Sequence, residues 1–290
     1  MNWMRYRLVY FAISFIAIAC GVYGLIAWGL KVGVDFTGGS IIEYRFKNSV
    51  STEDLTKTIE SGNVSVASVQ TTSEGNYLFR FPPITEADKT KITSTLQEKY
   101  PDSFEELRFE NVGPSIGPEL VKKTITALLV SAGLILLWVA YQFKSIKFGA
   151  SAVLAMLHDS VVLSGAFAIF GHFFGAEIDF LFVTAMLTIL SFSVHDTIVV
   201  YDRIRESQRK VGGDLTTLAN KALTETMVRS LNNSFTIIFM LVALALLGGS
   251  TIKWFAVALL VGTVSGTYSS PFVAVPILVT WDNLEKRFKK

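Results

Sequence analysis

Three charged side chains sit inside stretches of this chain that are otherwise apolar enough to cross a bilayer. Asp159 lies in SAVLAMLHDSVVLSGAFAIF, Asp196 in LFVTAMLTILSFSVHDTIVVY, and Arg229 at the head of MVRSLNNSFTIIFMLVALALL. A charge at membrane depth costs about 2.5–3.5 kcal/mol on insertion scales, so each needs a partner or a water-lined cavity. Two acids and one base on three spans suit the movement of protons or ions. A carboxylate can take up and release a proton, while a guanidinium stays charged at any working pH. Counted from the outer span ends near His172, Phe180 and Gly248, Asp159 lies about 20 Å deep, Asp196 about 24 Å and Arg229 about 28 Å. All three are therefore expected in one layer of the cytoplasmic half. The static alternative is a buried ion pair that only fixes helix register, a weak stabiliser.

His158 and His195 each directly precede an acid. Neighbours in sequence point about 100° apart on a helix, so neither ring is expected to face its own Asp. Either could line the polar channel beside an acid from another span, and imidazole chemistry suits proton transfer. A packed core histidine is the ordinary alternative.

The elements that must carry these residues follow from composition. With 51% apolar and 17% charged residues, the chain falls in the integral-membrane class. A span needs about 20 apolar residues, and six stretches qualify: 8–30, 121–142, 147–171, 179–201, 228–248 and 254–280. A net charge of +2 makes no case for nucleic acid. Cys20 is the only cysteine, so neither an intrachain disulfide nor a multi-cysteine metal site is expected. Its surroundings, IAIACG, look like a lipoprotein processing site, but the apolar run continues to Leu30 and reads as an ordinary membrane helix rather than a removable signal. The last span carries Gly262 and Gly266 as a small-xxx-small face, continued by Ser269 and Ser270 before Pro271, which favours close helix packing. Near 214–227, Leu215, Leu218, Ala219, Ala222 and Leu223 recur at helical spacing. That pattern predicts an amphipathic helix, lying on the inner membrane surface and leading into the fifth span or packing against the bundle.

Lys and Arg in short loops set the expected orientation. Arg5 and Arg7, Lys144 and Lys147, then Arg203, Arg205, Arg209 and Lys210, and finally the basic tail at 281–290 with Lys286, Arg287, Lys289 and Lys290 mark one side. The opposite short loops carry only Lys253. Both termini are thus expected in the cytoplasm and residues 31–120 outside.

Residues 31–120 change character, with frequent charges and short apolar runs. IIEYRF, VSVASVQ, NYLFRF and SFEELRFENV alternate as strands do, while 52–61 and the segment after Thr85 read as helices with acidic first turns. The order β-α-β-β-α-β is that of an α+β ferredoxin-like sandwich. The domain shows no His cluster, no nucleophile–base pair and no phosphate loop, so it is expected to be a binding or lever module. The whole chain is expected to be no enzyme, with no cofactor and no metal.

VGVDFTGGS (32–40), NVGPSIGPEL (111–120), HDS (158–160), VHDTIVVYDRIRES (194–207) and TYSSPF (267–272) together resemble the signature segments of the SecF family of bacterial protein export, within the resistance-nodulation-division superfamily. The resemblance covers nearly the whole chain. Its most specific residues here are Asp35, Phe36, Thr37, Gly38 and Gly39, with Asp202, Arg203 and Arg205. It implies a bundle of that superfamily's type, paired with SecD beside the Sec protein-conducting channel. Proton or sodium flow would then drive movements of the external domain on unfolded exported polypeptide, within the bacterial cytoplasmic membrane and its lipids. By position, Asp196 matches the family's membrane-embedded acid, Arg229 its embedded Arg, and Asp159 its His-Asp pair. The chain departs from the family's Gly-Tyr-Ser-Ile-Asn-Asp with SFSVHD, which puts His195 where the family has Asn. A self-sufficient small-molecule exporter of the same superfamily is the rival expectation. Such proteins have larger external domains, and about 90 residues leave little room for a pocket of several hundred Å³. A passive scaffold, the second rival, has no need of buried charges.

Overall fold

The computed structural model describes residues 1–72, 75–112 and 116–288, with the backbone alone at 116–118, 120–121 and 250–251. The chain divides into two compact units, one of Met1–Lys31 with Thr126–Lys290 and one of Val32–Ile125. A 3₁₀ turn at Trp3–Tyr6 precedes the first membrane helix, α1 (Arg7–Ala27). The unit expected outside, called external for that reason, follows as α2 (Val34–Thr37), β1 (Gly39–Phe46), α3 (Thr52–Ser61), β2 (Ser68–Thr71), β3 (Tyr77–Phe81), α4 (Glu86–Lys99) and β4 (Phe104–Val112). The chain then re-enters as α5 (Ile116–Phe143), α6 (Ile146–Phe174), α7 (Phe180–Val211) and α8 (Leu215–Leu247). The sixth span is α9 (Gly249–Ser269), a π-helical turn (Ser270–Ala274) and α10 (Val275–Phe288). Among the described residues, six helices are long and apolar enough to cross a membrane. Helix is the form such stretches take because hydrocarbon offers the backbone no hydrogen-bond partner.

Helix ends follow local chemistry. Asp179 Oδ1 accepts from Phe182 N at 2.7 Å to cap α7, and Asp214 Oδ2 accepts from Thr216 N at 3.1 Å to cap α8. The π-helical turn contains Pro271, which has no N–H to donate into an α-helical ladder. Two glycines allow the closest helix contacts. A Cβ on Gly165 of α6 would stand 2.2 Å from Gly21 Cα of α1, and a Cβ on Gly262 of α9 would stand 2.1 Å from Ile189 Cδ1 of α7. Apolar burial gains little where lipid is the solvent, so such close contact carries the association.

The expected amphipathic helix is not a separate element. Residues 215–227 form the first turns of α8, unbroken into the fifth span. Leu215, Leu218, Ala219, Ala222 and Leu223 are buried in the bundle core rather than laid on a membrane surface. The N-terminal segment helps cover this stretch, with Met4 N donating to Asn220 Oδ1 at 2.9 Å and Trp3 Nε1 to Thr224 Oγ1 at 3.0 Å.

In the external unit the strand order is β2-β3-β1-β4, all antiparallel. This is the ferredoxin-like arrangement, in which β3 inserts between the strands of a β-α-β unit. In register, Ile42 lies between Phe79 and Phe109, and the core is completed by Tyr44, Leu55, Ile59, Ile92 and Leu96, none more than 1% exposed. Burial pushes the Tyr44 hydroxyl up to about 12. Thr85 and Asp88 form the reciprocal capping box that starts α4. The strand expected over VSVASVQ is shorter, because Asn63 takes a positive φ of 59° and pairing with β3 begins only at Ser68. The TTSEG turn and the NVGPSIGPEL segment fall partly outside the described residues.

Candidate functional site: a polar seam between four helices

Asp159 is completely buried on α6, and two other helices reach in to it. Ser193 Oγ of α7 and Ser269 Oγ of α9 each donate to Oδ2 at 2.6 Å, and Ser265 Oγ of α9 donates to Oδ1 at 2.6 Å. Gly262 and Gly266 lie on the same stripe of α9, against Ile189 and Ser193, so the small-residue face brings these hydroxyls within reach. His158 Nδ1 lies 3.1 Å from Asp159 Oδ1, contrary to the expectation from helix geometry. The Cβ atoms do diverge, but the hydroxyls on α7 and α9 fix the carboxylate where a neighbouring ring nitrogen close to its own Cβ can reach it.

Asp196 occupies a different setting. It is 7% exposed, and Ser230 Oγ of α8 donates to it, 2.7 and 2.8 Å from the two carboxylate oxygens. Beside it, the Thr197 and Ser270 hydroxyls hydrogen-bond to each other at 2.9 Å and lie 3.0 and 3.1 Å from the Ser193 carbonyl, which accepts from them. Ser193 therefore joins the two settings, its hydroxyl on Asp159 and its carbonyl beside Asp196.

Arg229 is exposed and touches neither acid; no carboxylate lies within ion-pair distance of it among the described residues. It lines a cleft of about 890 Å³ that runs along α7 and α8 past Asp202, Arg203, Glu206 and Glu225. Helix phase explains this: Ser230, one residue on, takes the position facing Asp196. Arg203 Nε binds Glu225 at 2.5 Å and its Nη1 binds Glu206 at 2.5 Å, which clasps α7 to α8 across the cleft. Arg205 Nη1 donates to the Gln142 carbonyl at 2.5 Å. At the mouth of α8, Lys286 and the Thr216 hydroxyl hold the Asp214 carboxyl below the usual carboxylate range.

His195 does not join the seam. It is exposed on the outer face of α7, with Thr184, Thr188 and Ser191 at helical spacing on the same face. Adjacent positions on a helix diverge, and burying Asp196 turns His195 outward. The segment Asp35-Phe36-Thr37-Gly38-Gly39 lies in the external unit as the turn that starts β1. Gly39 has φ of 125°, and a Cβ there would stand 2.9 Å from the Phe81 carbonyl.

Ser193, Ser230 and Ser265 escape a reading of the sequence. A serine in a helix usually satisfies its hydroxyl on its own backbone, so only the tertiary fold reveals which ones are directed at a carboxylate. The available signal was the i, i+4 pair Ser265 and Ser269 interleaved with Gly262 and Gly266.

Comparison with known proteins gives consistent matches. Residues 91–284 match the family described as Protein export membrane protein SecD/SecF, C-terminal, and residues 29–50 match the SecD/SecF GG motif. The protein translocase subunit SecF of Thermobaculum terrenum is 41% identical over 97% of this chain and 93% of its own length. That of Anaerolinea thermophila is 35% identical over 99% and 96%. The crystal structure of SecDF, a translocon-associated membrane protein from Thermus thermophilus, superposes with a TM-score of 0.84 at 31% identity over 98% of this chain. This chain spans 39% of that longer one.

Proposed function

The chain belongs to the SecD/SecF family of protein-export membrane proteins, and from that premise we propose that it is a non-catalytic subunit that couples an ion gradient to polypeptide export. Asp196 alternates between proton-bearing and charged states. The observation that carries this reading is a membrane-buried carboxylate held by the hydroxyl of Ser230, with that of Ser270 beside it, and near an arginine that opens onto a cleft. With both termini in the cytoplasm, as the loop charges favour, the cleft is the inner entrance and Arg229 stands at its membrane end. Arg229 then acts across a short gap rather than by a fixed ion pair, attracting the deprotonated Asp196 when the seam opens. Protons are the coupling ion here, with sodium the alternative outcome of the same assay.

The partner is SecD. Of Thr184, Thr188, Ser191 and His195 on the outer face of α7, the threonine hydroxyls are satisfied on their own backbone, so His195 is the group that is costly against lipid and calls for a second polar surface. The relative of known structure, a longer SecDF chain, is the kind of protein in which such a surface would be built in. Association with the Sec channel and action of the external unit on unfolded exported polypeptide complete the proposal.

The test is export into inverted vesicles with the partner present. Asp196→Asn should assemble normally and lose the gradient-dependent part of export. Arg229→Lys should retain part of it and Arg229→Met almost none. Full gradient-dependent export by Asp196→Asn refutes the relay. Dependence on a sodium gradient rather than a proton gradient changes the ion and keeps the site. Disulfide capture between cysteines at Ser191 of this chain and SecD tests the partner face.

A further inference from the structure

His158 is 94% buried by its 6% exposure, and its ring is held at one end only. Nδ1 points at Asp159, while Nε2 has no hydrogen-bond partner among the described residues. A buried ring nitrogen left unpaired is costly and calls for a partner. The ring lines a cleft of about 370 Å³ between α1, α6 and α10, walled chiefly by apolar residues such as Phe11, Phe15, Val161 and Ile277. Ser14 of α1 is the polar residue that shares this wall. Its hydroxyl donates to the Tyr268 hydroxyl at 3.3 Å, and Tyr268 donates to the Tyr10 carbonyl of α1 at 2.8 Å. The Tyr268 and His158 rings stand 6.3 Å apart between centroids.

Two polar residues from two helices thus share one pocket, the imidazole of His158 from α6 and the hydroxyl of Ser14 from α1, and the Tyr268 phenol of α9 bonds to that serine. The pocket has room for a water, and Nε2 with the Ser14 oxygen supplies the minimum of two polar partners once the ring turns toward the cleft. We propose that His158, Ser14 and Tyr268 form a hydrated node that ties the first span to the Asp159 cradle and passes a change there to α1. Because α1 leads directly in sequence to the external unit, the node is a route from the seam to the part of the protein that acts on polypeptide. The inference rests on the proton-relay reading and adds to it residues on α1 and α9 that do not touch Asp196.

The chemistry is that of hydrogen-bond reversal. With Nδ1–H donated to the Asp159 carboxylate, Nε2 is an acceptor and takes a hydrogen bond from the water. If the ring gains a proton, Nε2–H becomes a donor, and the water must turn its hydrogens toward Ser14 or Tyr268. The Ser14–Tyr268 bond, long already at 3.3 Å, is the one to rearrange. The titratable groups facing His158 are Asp159 from α6 and Tyr268 from α9. Among the described residues that line the cleft, α1 and α10 contribute Ser14 and apolar side chains.

The experiment uses the full chain in nanodiscs, in a Cys20→Ser background, with spin labels at Val22 of α1 and Met240 of α8. In the parent chain the label distance should change by about 1–2 Å between pH 5 and pH 8, the size of a helix shift. The change should vanish in Ser14→Ala and His158→Phe and persist in His195→Gln, whose ring faces outward. A distance that ignores pH in the parent chain, or a shift that survives either node variant, overturns the proposal. If His158→Phe does not assemble, Ser14→Ala decides alone. Export in the same variants separates the two readings. Loss of coupling in Asp196→Asn with normal coupling in Ser14→Ala sinks only the node, whereas normal coupling in Asp196→Asn sinks the relay itself.

Discussion

Asp159 and Asp196 are the same residue type on adjacent helices, at similar depth, yet their surroundings assign them different work. Asp159 has no exposed surface and four hydrogen-bonding neighbours from three helices. Asp196 is slightly exposed and takes its close hydrogen bonds from Ser230 of a fourth helix, with the Ser270 hydroxyl beside it. A carboxylate that several rigid elements have converged upon cannot change state without disturbing all of them. One held mainly by the rotatable hydroxyl of Ser230 is freer to do so. Burial alone therefore does not separate the two acids; the number of helices committed to each does.

The sharpest test of this contrast is stability. Asp159→Ala strands three hydroxyls and an imidazole, each unsatisfied group costing about 1–3 kcal/mol, so a loss of more than about 3 kcal/mol is expected. Thermal melting in detergent should show it, with Asp196→Ala melting close to the parent chain. Equal losses would erase the distinction. Next in size is Gly262→Val, which drives side-chain carbons into Ile189 and pushes α9 off α7. Overpacking of this kind costs about 1–3 kcal/mol. It should harm the Asp159 cradle, read as a lower melting temperature, before it touches the Asp196–Ser230 bond on α8.

Single hydroxyls refine the comparison. Ser269→Ala should cost about 1 kcal/mol in melting and leave most gradient-dependent export intact. Ser230→Ala should do the reverse, with near-parent melting and altered export. A Ser230 variant indistinguishable from the parent in both assays would remove Ser230 from the relay. The smallest effect is a control in the external unit. Thr85→Ala removes the cap of α4 and should cost about 1 kcal/mol locally. The backbone N–H and hydroxyl of Thr85, with Lys91 beside them, hold the Asp88 carboxyl below its usual range. A depressed folded value means that this contribution is present above the unfolded carboxylate value of about 3.9 and fades as pH falls through the folded one. Pulse proteolysis of the external unit across that acid range should show the slope in the parent chain and a flatter one in Thr85→Ala, with export unchanged at neutral pH.

The unevenness of what the sequence revealed has a physical basis. Membrane spans and the split β-α-β pattern are periodic signals summed over many residues, so hydropathy and alternation sufficed for six helices and four strands. The acids Asp159 and Asp196 were visible because a charge in hydrocarbon is costly wherever it points. Their serines were not, because a hydroxyl in a helix costs little and has several partners to choose from. The two histidines mark the limit most clearly. His158 and His195 look alike in sequence, each directly before an acid; one is buried against its neighbour and the other faces outward.

Hydropathy, loop charge and strand alternation act one element at a time, and they were enough to define the class of the protein, its spans and its inserted domain. Which side chains meet depends on helix phase and on how near two backbones can come, and those are properties of pairs of elements. Gly165 against Gly21 and Gly262 against Ile189 set such distances; among the described residues three hydroxyls meet Asp159, Ser230 meets Asp196 and none meets His158 Nε2. No single segment contains that information, since each contact joins residues from different helices and appears only when the helices pack.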